Sequence, residues 1–485
     1  MATRSEALGG LRPDRRRQLA LPAALLGTAV LALGSGAGAA VVATQFHDKT
    51  AVVVLVALVV APLLAVAIII NPLVAVLIVL ATFPIGSVAQ GVGPLRIQAV
   101  EVAVFVAATV VVLRRLAVGK IPLPFAGPLG WAIALFLWTL ISMFSAIDET
   151  LAIKVLFSLL GGIVCSTVVL AGCRDMRDLR ILLGGFVASG SVIALITLSE
   201  TGHVSFTSEF GGSEIVSGRL QGAFDSPNQL GSLCALMVPI AASLVFGLRA
   251  LRWRIVSAGA LLLLLAALML SLSRGAWIGA GVAAIFMLIK LREARRLLVL
   301  VSVPVAILGF FIWSLAPSST EVKVVGERAK AINALSPYDH RQVIYNEAFR
   351  EIKEKPLLGV GPGGFPVAST RVVSESSTLS YAHAHNLYLN WAAETGIPSL
   401  IIIFGFAIGL GLAGRTASRG AMARGDPADR ALVIGISAAL LSVLGQGVVD
   451  YVIPNPVVYI AMWTLVGALL VSRREALETL PATRR

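Results

Sequence analysis

Two of the chain's five histidines, His383 and His385, stand two residues apart in Tyr381-Ala-His-Ala-His-Asn386. A third, His340, lies in the same stretch, which opens at Pro317 and is the longest departure from an otherwise apolar pattern. Histidine is the side chain most readily poised to move a proton near neutral pH, so His385 is a candidate general base for a hydroxyl nucleophile. Two other readings stand beside it. One is a pair of metal ligands, but a catalytic metal wants three protein ligands and an open position. The nearest acids, Glu375 and Glu394, form no cluster with the histidines, and no Asp-x-Asp motif occurs anywhere. Or the histidine only hydrogen-bonds at a helix start. The expectation is a site without a metal or other cofactor, with His383, Asn386 and Glu394 as supporting residues.

Arginines supply the complementary chemistry. Arg274 interrupts the apolar run in Leu270-Ser-Leu-Ser-Arg-Gly-Ala-Trp277. An ionisable residue at membrane depth is costly and points to a cavity by default, against the plainer reading of an interfacial arginine that snorkels to water. Arg219 precedes Gly222 and Pro227-Asn228, and Arg341 opens a helical pattern. Alone, each reads as a solvated charge. Together with Arg274 they suit a polyanion, because guanidinium groups meet phosphate oxygens bidentately. Gly359-Val-Gly-Pro-Gly-Gly364 fits G-x-G-x-x-G, but without the flanking strand and helix of a dinucleotide site. A tight turn is expected there.

These residues need a scaffold, and composition names it. The chain is 57% hydrophobic and 13% charged, against about a quarter charged in soluble domains. Its apolar runs are long enough to cross a bilayer as helices. Fourteen spans are expected, near 19–43, 51–70, 73–90, 97–113, 128–147, 151–172, 181–199, 228–248, 255–272, 275–289, 297–316, 387–413, 431–449 and 455–472. The first resembles a signal peptide and is expected to be retained as a helix. Most of the 39 Lys and Arg residues fall in alternate short loops, which puts both termini in the cytoplasm and the 317–386 loop outside. The net charge of +13 is then a topological signal and a fit to anionic lipid. Nucleic acid is excluded as a partner because no single face gathers the basic residues.

Within the loop, 339–355 reads as an amphipathic helix. Asp339 is its cap, Ile344, Ala348 and Ile352 recur at helical spacing, and Tyr345 and Phe349 widen the apolar face. Pro356 stops it. The three cysteines show no disulfide or zinc spacing and read as packing residues. Glu101 and Lys154 fall inside spans near their outer ends. No internal repeat is evident, which weighs against a symmetric transporter.

The order Arg219-x-x-Gly222, Pro227-Asn228, Ser273-Arg274-Gly275, Arg341, Pro356-Leu-Leu-Gly-Val-Gly361, His385-Asn-Leu-Tyr-Leu and Glu394-Thr-Gly396 resembles the O-antigen ligase/polymerase superfamily. The resemblance covers roughly residues 200–410. It implies an all-α integral membrane protein, a GT-C-like polytopic bundle of about 12–14 transmembrane helices with one long extracytoplasmic loop. Its segments would be 1–199, a core of 200–414 with the loop at 317–386, and 415–485. The implied activity is metal-independent transfer of a glycan from an undecaprenyl-diphosphate-linked donor to a glycan or lipid acceptor, at the outer face of the plasma (inner) membrane. His385 would be the base, with Arg219, Arg274 and more weakly Arg341 holding the diphosphate. The rival is a transporter or flippase of lipid-linked oligosaccharide, which needs no base.

Overall fold

The computed structural model describes residues 71–88, 97–118, 127–199, 220, 222, 224–291, 295, 341–370, 383–451 and 455–481. The described chain is helical. In order come α1 (Pro72–Ala81), α2 (Phe83–Val88), α3 (Ala99–Val118), α4 (Pro128–Ser142), α5 (Glu149–Gly172), α6 (Met176–Ser199), α7 (Pro227–Gly247) and α8 (Leu251–Leu270). There follow α9 (Arg274–Lys290), α10 (Arg341–Glu354), α11 (Phe365–Thr370), α12 (Leu387–Thr395), α13 (Ile397–Arg424), α14 (Pro427–Gln446) and α15 (Pro456–Thr479). Eight of these helices are long and apolar enough to cross a membrane, so this is a polytopic, multi-pass membrane protein.

Three of the fourteen expected spans, 19–43, 51–70 and 297–316, lie outside the described residues, as do Asp339 and His340. Two others are not single helices. The run at 73–90 breaks at Thr82 between α1 and α2. The run at 387–413 breaks at Gly396, whose φ of 81° ends α12 before Pro398 starts α13. An apolar run conceals such a break because hydropathy does not record backbone handedness.

Helix starts are written in the sequence. Asn71, Asp148, Ser273, Asn386, Asp426 and Asn455 each accept a hydrogen bond from the first turn they precede, satisfying donors that a helix leaves open. In a bilayer, close packing rather than apolar burial holds helices together. A Cβ on Gly279 of α9 would lie 2.7 Å from the Ser442 carbonyl of α14, so glycine is what lets these helices touch. The cysteines are buried packing residues, as expected. Glu101 and Lys154 pair with each other at 2.8 Å between α3 and α5, which answers the cost of both charges in the bundle.

The 20-residue α14 is about 30 Å long and separates two chemical ends. At its start, Arg180 bridges Asp426 and Asp429 at 2.9 and 2.6 Å, and Arg424 meets Asp429. All four belong to loops or helix ends that charge counting assigned inside. At its far end, Gln446 leads to Asp450, the neighbourhood of the histidines.

The amphipathic helix forms as α10, and the expected Ile344 and Ala348 are buried with Ile352 packed beside them. The face widens toward Glu347 and Glu351, which are buried, rather than toward Phe349, which is 50% exposed. Positions 344, 347, 348 and 351 are one continuous helical stripe, and that stripe meets α11 and α12. Counting only apolar residues rotated the expected face toward Phe349. The glycine turn after α10 locks it down: the Val360 and Gly361 N–H groups donate to Ala393 and Glu394 carbonyls at 2.9 Å. Gly359, at φ 67°, lies so near the Glu394 backbone that a Cβ would meet it at 2.4 Å. The turn does the docking work expected of it.

Candidate functional site

Residues 383–386 form a short bend ahead of α12. Asn386 fixes both sides of it. Its Oδ1 accepts from the Tyr388 and Leu389 N–H groups at 2.9 and 3.0 Å, and its Nδ2 donates to the Val448 carbonyl at 2.7 Å. The Leu387 N–H also donates to the Gly447 carbonyl at 2.7 Å. The histidine bend is thereby tied to the turn that ends α14, and that turn carries Asp450.

The central contact follows: His385 Nδ1 lies 3.3 Å from Asp450 Oδ1. Asp450 is nearly buried (side chain 3% exposed) and His385 is one-third exposed at 33%. Burial alone would raise the Asp450 carboxyl. The His385 hydrogen bond and the two nearby imidazoles outweigh it and hold the group below its usual range. An ionised Asp450 accepts from Nδ1–H, leaving Nε2 as the acceptor nitrogen. That is the tautomer a general base requires.

His383 has a different part. Burial, then the neighbouring His385, pushes its imidazole down to about 4, so it stays neutral. Its Nδ1 accepts the His385 backbone N–H at 3.3 Å. Its ring stands edge-on to His385 and Tyr451, with centroids 4.3 and 5.5 Å away. His385 itself is held at φ 49°, and Leu272 at φ 50°; among the described residues these are the non-glycine positions with positive φ. Such conformations cost about 1–3 kcal/mol each and gather at functional sites.

Leu272 leads into Ser273-Arg274, where α9 begins. The first turn of α9 abuts Asp450: a Cβ on Gly275 would meet the Asp450 Cβ at 3.3 Å and Gln446 at 3.5 Å. Arg274 therefore starts its helix beside the His385–Asp450 pair. Arg219 lies outside the described residues; its neighbour Leu220 donates its N–H to the Leu270 carbonyl at 3.0 Å, just before this turn. Arg341 is close enough for its charge to oppose protonation of His383. Tyr345, one turn along α10, donates its hydroxyl to the His385 carbonyl at 3.4 Å.

The structure thus brings together His385, His383, Asn386, Arg274 and Arg341. Glu394 is not at the base. It is buried at the far end of α12, against the backbone of Gly363 and Phe365 and near Glu351. Asp450 is the residue sequence reasoning missed, 65 positions from its partner and in the segment 415–485. Its signal was an acid directly after an apolar span, in Val448-Val-Asp-Tyr451. Asp450 also supplies the third group that a histidine metal pair lacked, with the donor atoms of His383, His385 and Asp450 within 4.8 Å of one another. Two of those ring nitrogens already hydrogen-bond within the group.

A nearly buried aspartate, a one-third-exposed histidine and the arginine-led start of α9 thus meet at one end of the helical bundle of a membrane protein. Residues 259–404, which include Arg274, Arg341 and His385, match the family model described as O-Antigen ligase. The match spans under a third of the chain and falls within the stretch whose motifs resemble the O-antigen ligase/Wzy-type superfamily. No curated protein matches the chain. Among solved structures, a chain titled "Structural coordination of polymerization and crosslinking by a peptidoglycan synthase complex" is similar at 16% identity and a TM-score of 0.40. The similarity covers 72% of this chain and 97% of that one.

Proposed function

We propose that the protein is a metal-independent membrane glycosyltransferase, a polysaccharide polymerase or O-antigen ligase, that moves a glycan from an undecaprenyl-diphosphate-linked donor to an acceptor hydroxyl. The observation that carries the reading is the His385–Asp450 pair beside the start of α9. In the proposed step the acceptor oxygen attacks the anomeric carbon and its proton passes to His385 Nε2. The bond from that carbon to the diphosphate breaks, and the lipid diphosphate leaves with the electron pair. Asp450 stabilises the imidazolium; Arg274, with Arg219 and Arg341, neutralises the charge growing on the leaving group. The acceptor is a glycan in a polymerase and a lipid core in a ligase.

The charge pattern supports the orientation in this reading: both termini in the cytoplasm, residues 317–386 and the site at the outer face of the plasma membrane. The catalytic unit is then residues 200–414 completed by Asp450 from the third segment. Purified protein in detergent, given a lipid-linked glycan and an acceptor, tests the activity. Donor consumption with release of lipid diphosphate is expected. A protein that moves the donor across vesicles but consumes none in detergent is a transporter, and the reading fails.

A further inference from the structure

The roof helix α10 carries an unexplained group. Glu351 is 2% exposed, and among the described residues neither carboxylate oxygen has a hydrogen-bond partner. A charged carboxylate buried without a partner is costly enough that the group takes up a proton instead. On its own helix the charged neighbours are Glu347, Arg350 and Glu354; Arg350 is engaged by Glu347 and reaches Glu354 at 3.7 Å. Packed against α10, α12 contributes the buried Glu394, and α11 contributes Phe365 and no titratable side chain. At the other end of α10 stand His383 and His385, met by Arg341 and Tyr345. Among the described residues, Glu347, Glu354 and Glu394 set negative charge around Glu351, Arg350 is already paired, and Lys355, one turn on, is exposed.

The geometry points to Glu351 as a proton-dependent latch: α10 seats on α12 with this carboxyl protonated, and deprotonation unseats it. Because Arg341 and Tyr345 ride on the same helix, the latch makes Glu351 a positioning residue for His385. This consequence rests on His385 as the base; the latch itself does not. Burial first, then the charges of Glu347 and Glu394, raises Glu351 from 4.5 to about 8. The sign follows. Seating is fully favoured below the unseated value of 4.5 and weakens by about tenfold per pH unit up to about 8, above which it levels off.

Spin labels at Lys353→Cys, exposed on α10, and Leu251→Cys, exposed at the opposite end of the bundle, read the seating in lipid nanodiscs. The native cysteines are buried and stay unlabelled. The expected result is one narrow distance at pH 6 and a second, broad population growing toward pH 8.5. Glu351→Gln, a neutral isostere, should keep the narrow distance throughout. It should also keep alkaline glycan transfer that the native chain loses. Identical distances at pH 6 and 8.5 in the native chain, or a Glu351→Gln chain that broadens in the same way, overturn the latch. The distance measurement needs no donor, so it fails or stands independently of the proposed transfer.

Discussion

Replacing Asp450 with Asn removes one charge from the candidate base while keeping the side chain's shape. At the 3.3 Å separation of His385 Nδ1 and Asp450 Oδ1, unit charges attract by about 5 kcal/mol at an effective dielectric of 20 and about 1.3 kcal/mol in water. His385 is one-third exposed, so solvent screening places the loss near 1.5 to 3 kcal/mol. The imidazolium formed in the transfer step loses that stabilisation, and transfer slows about ten- to a hundredfold. The assay is the pH dependence of kcat/KM for purified protein in nanodiscs with a lipid-linked donor. With the carboxylate gone, kcat/KM should fall by that factor across the profile. A profile of the same height as the native protein's would refute the pairing as a catalytic device.

Three further outcomes are expected. His385→Gly should abolish transfer and lower thermal stability, because it strips the nearly buried Asp450 of its imidazole partner, which outweighs the roughly 1 kcal/mol returned by releasing the φ of 49°; a more stable variant contradicts the pairing. Gly359→Ala should unfold at lower temperature by an amount matching at least about 2 kcal/mol, since its Cβ would strike the Glu394 backbone; calorimetry in detergent measures it. Chelator treatment should leave transfer intact. Loss on chelation with recovery on adding zinc or manganese would make His383, His385 and Asp450 a metal centre and remove the base.

The membrane class, most helix boundaries and two principal site residues were legible in the amino-acid sequence for one physical reason. Charged and imidazole groups stand out against hydrocarbon, and Arg274 and His385 are such groups. Asn386, a plain helix cap by type, was legible as a supporting residue, though what it supports is the joint with Val448. Asp450 was not weighed because its meaning depends on a partner 65 residues away, and it is the bonds of Asn386 to Val448 and Leu387 to Gly447 that bring that turn to the histidines. The buried face of α10 was legible in Ile344, Ala348 and Ile352 but not in its acidic half. Periodicity counts apolar residues, so a stripe that includes Glu347 and Glu351 reads as a polar face turned to water. The break at Gly396, between Thr395 and Ile397 and just ahead of Pro398, is a backbone signal that a hydropathy reading passes over.

The central claim, that His385 takes the acceptor's proton in a glycan transfer, meets its most direct test in one substitution. Purified native protein and His385→Gln, matched for thermal stability in the same nanodiscs, are given lipid-linked donor and acceptor, and released lipid diphosphate is counted over time. The account predicts turnover by the native protein and a loss of about a hundredfold or more in the variant. Equal turnover from the two proteins would contradict it.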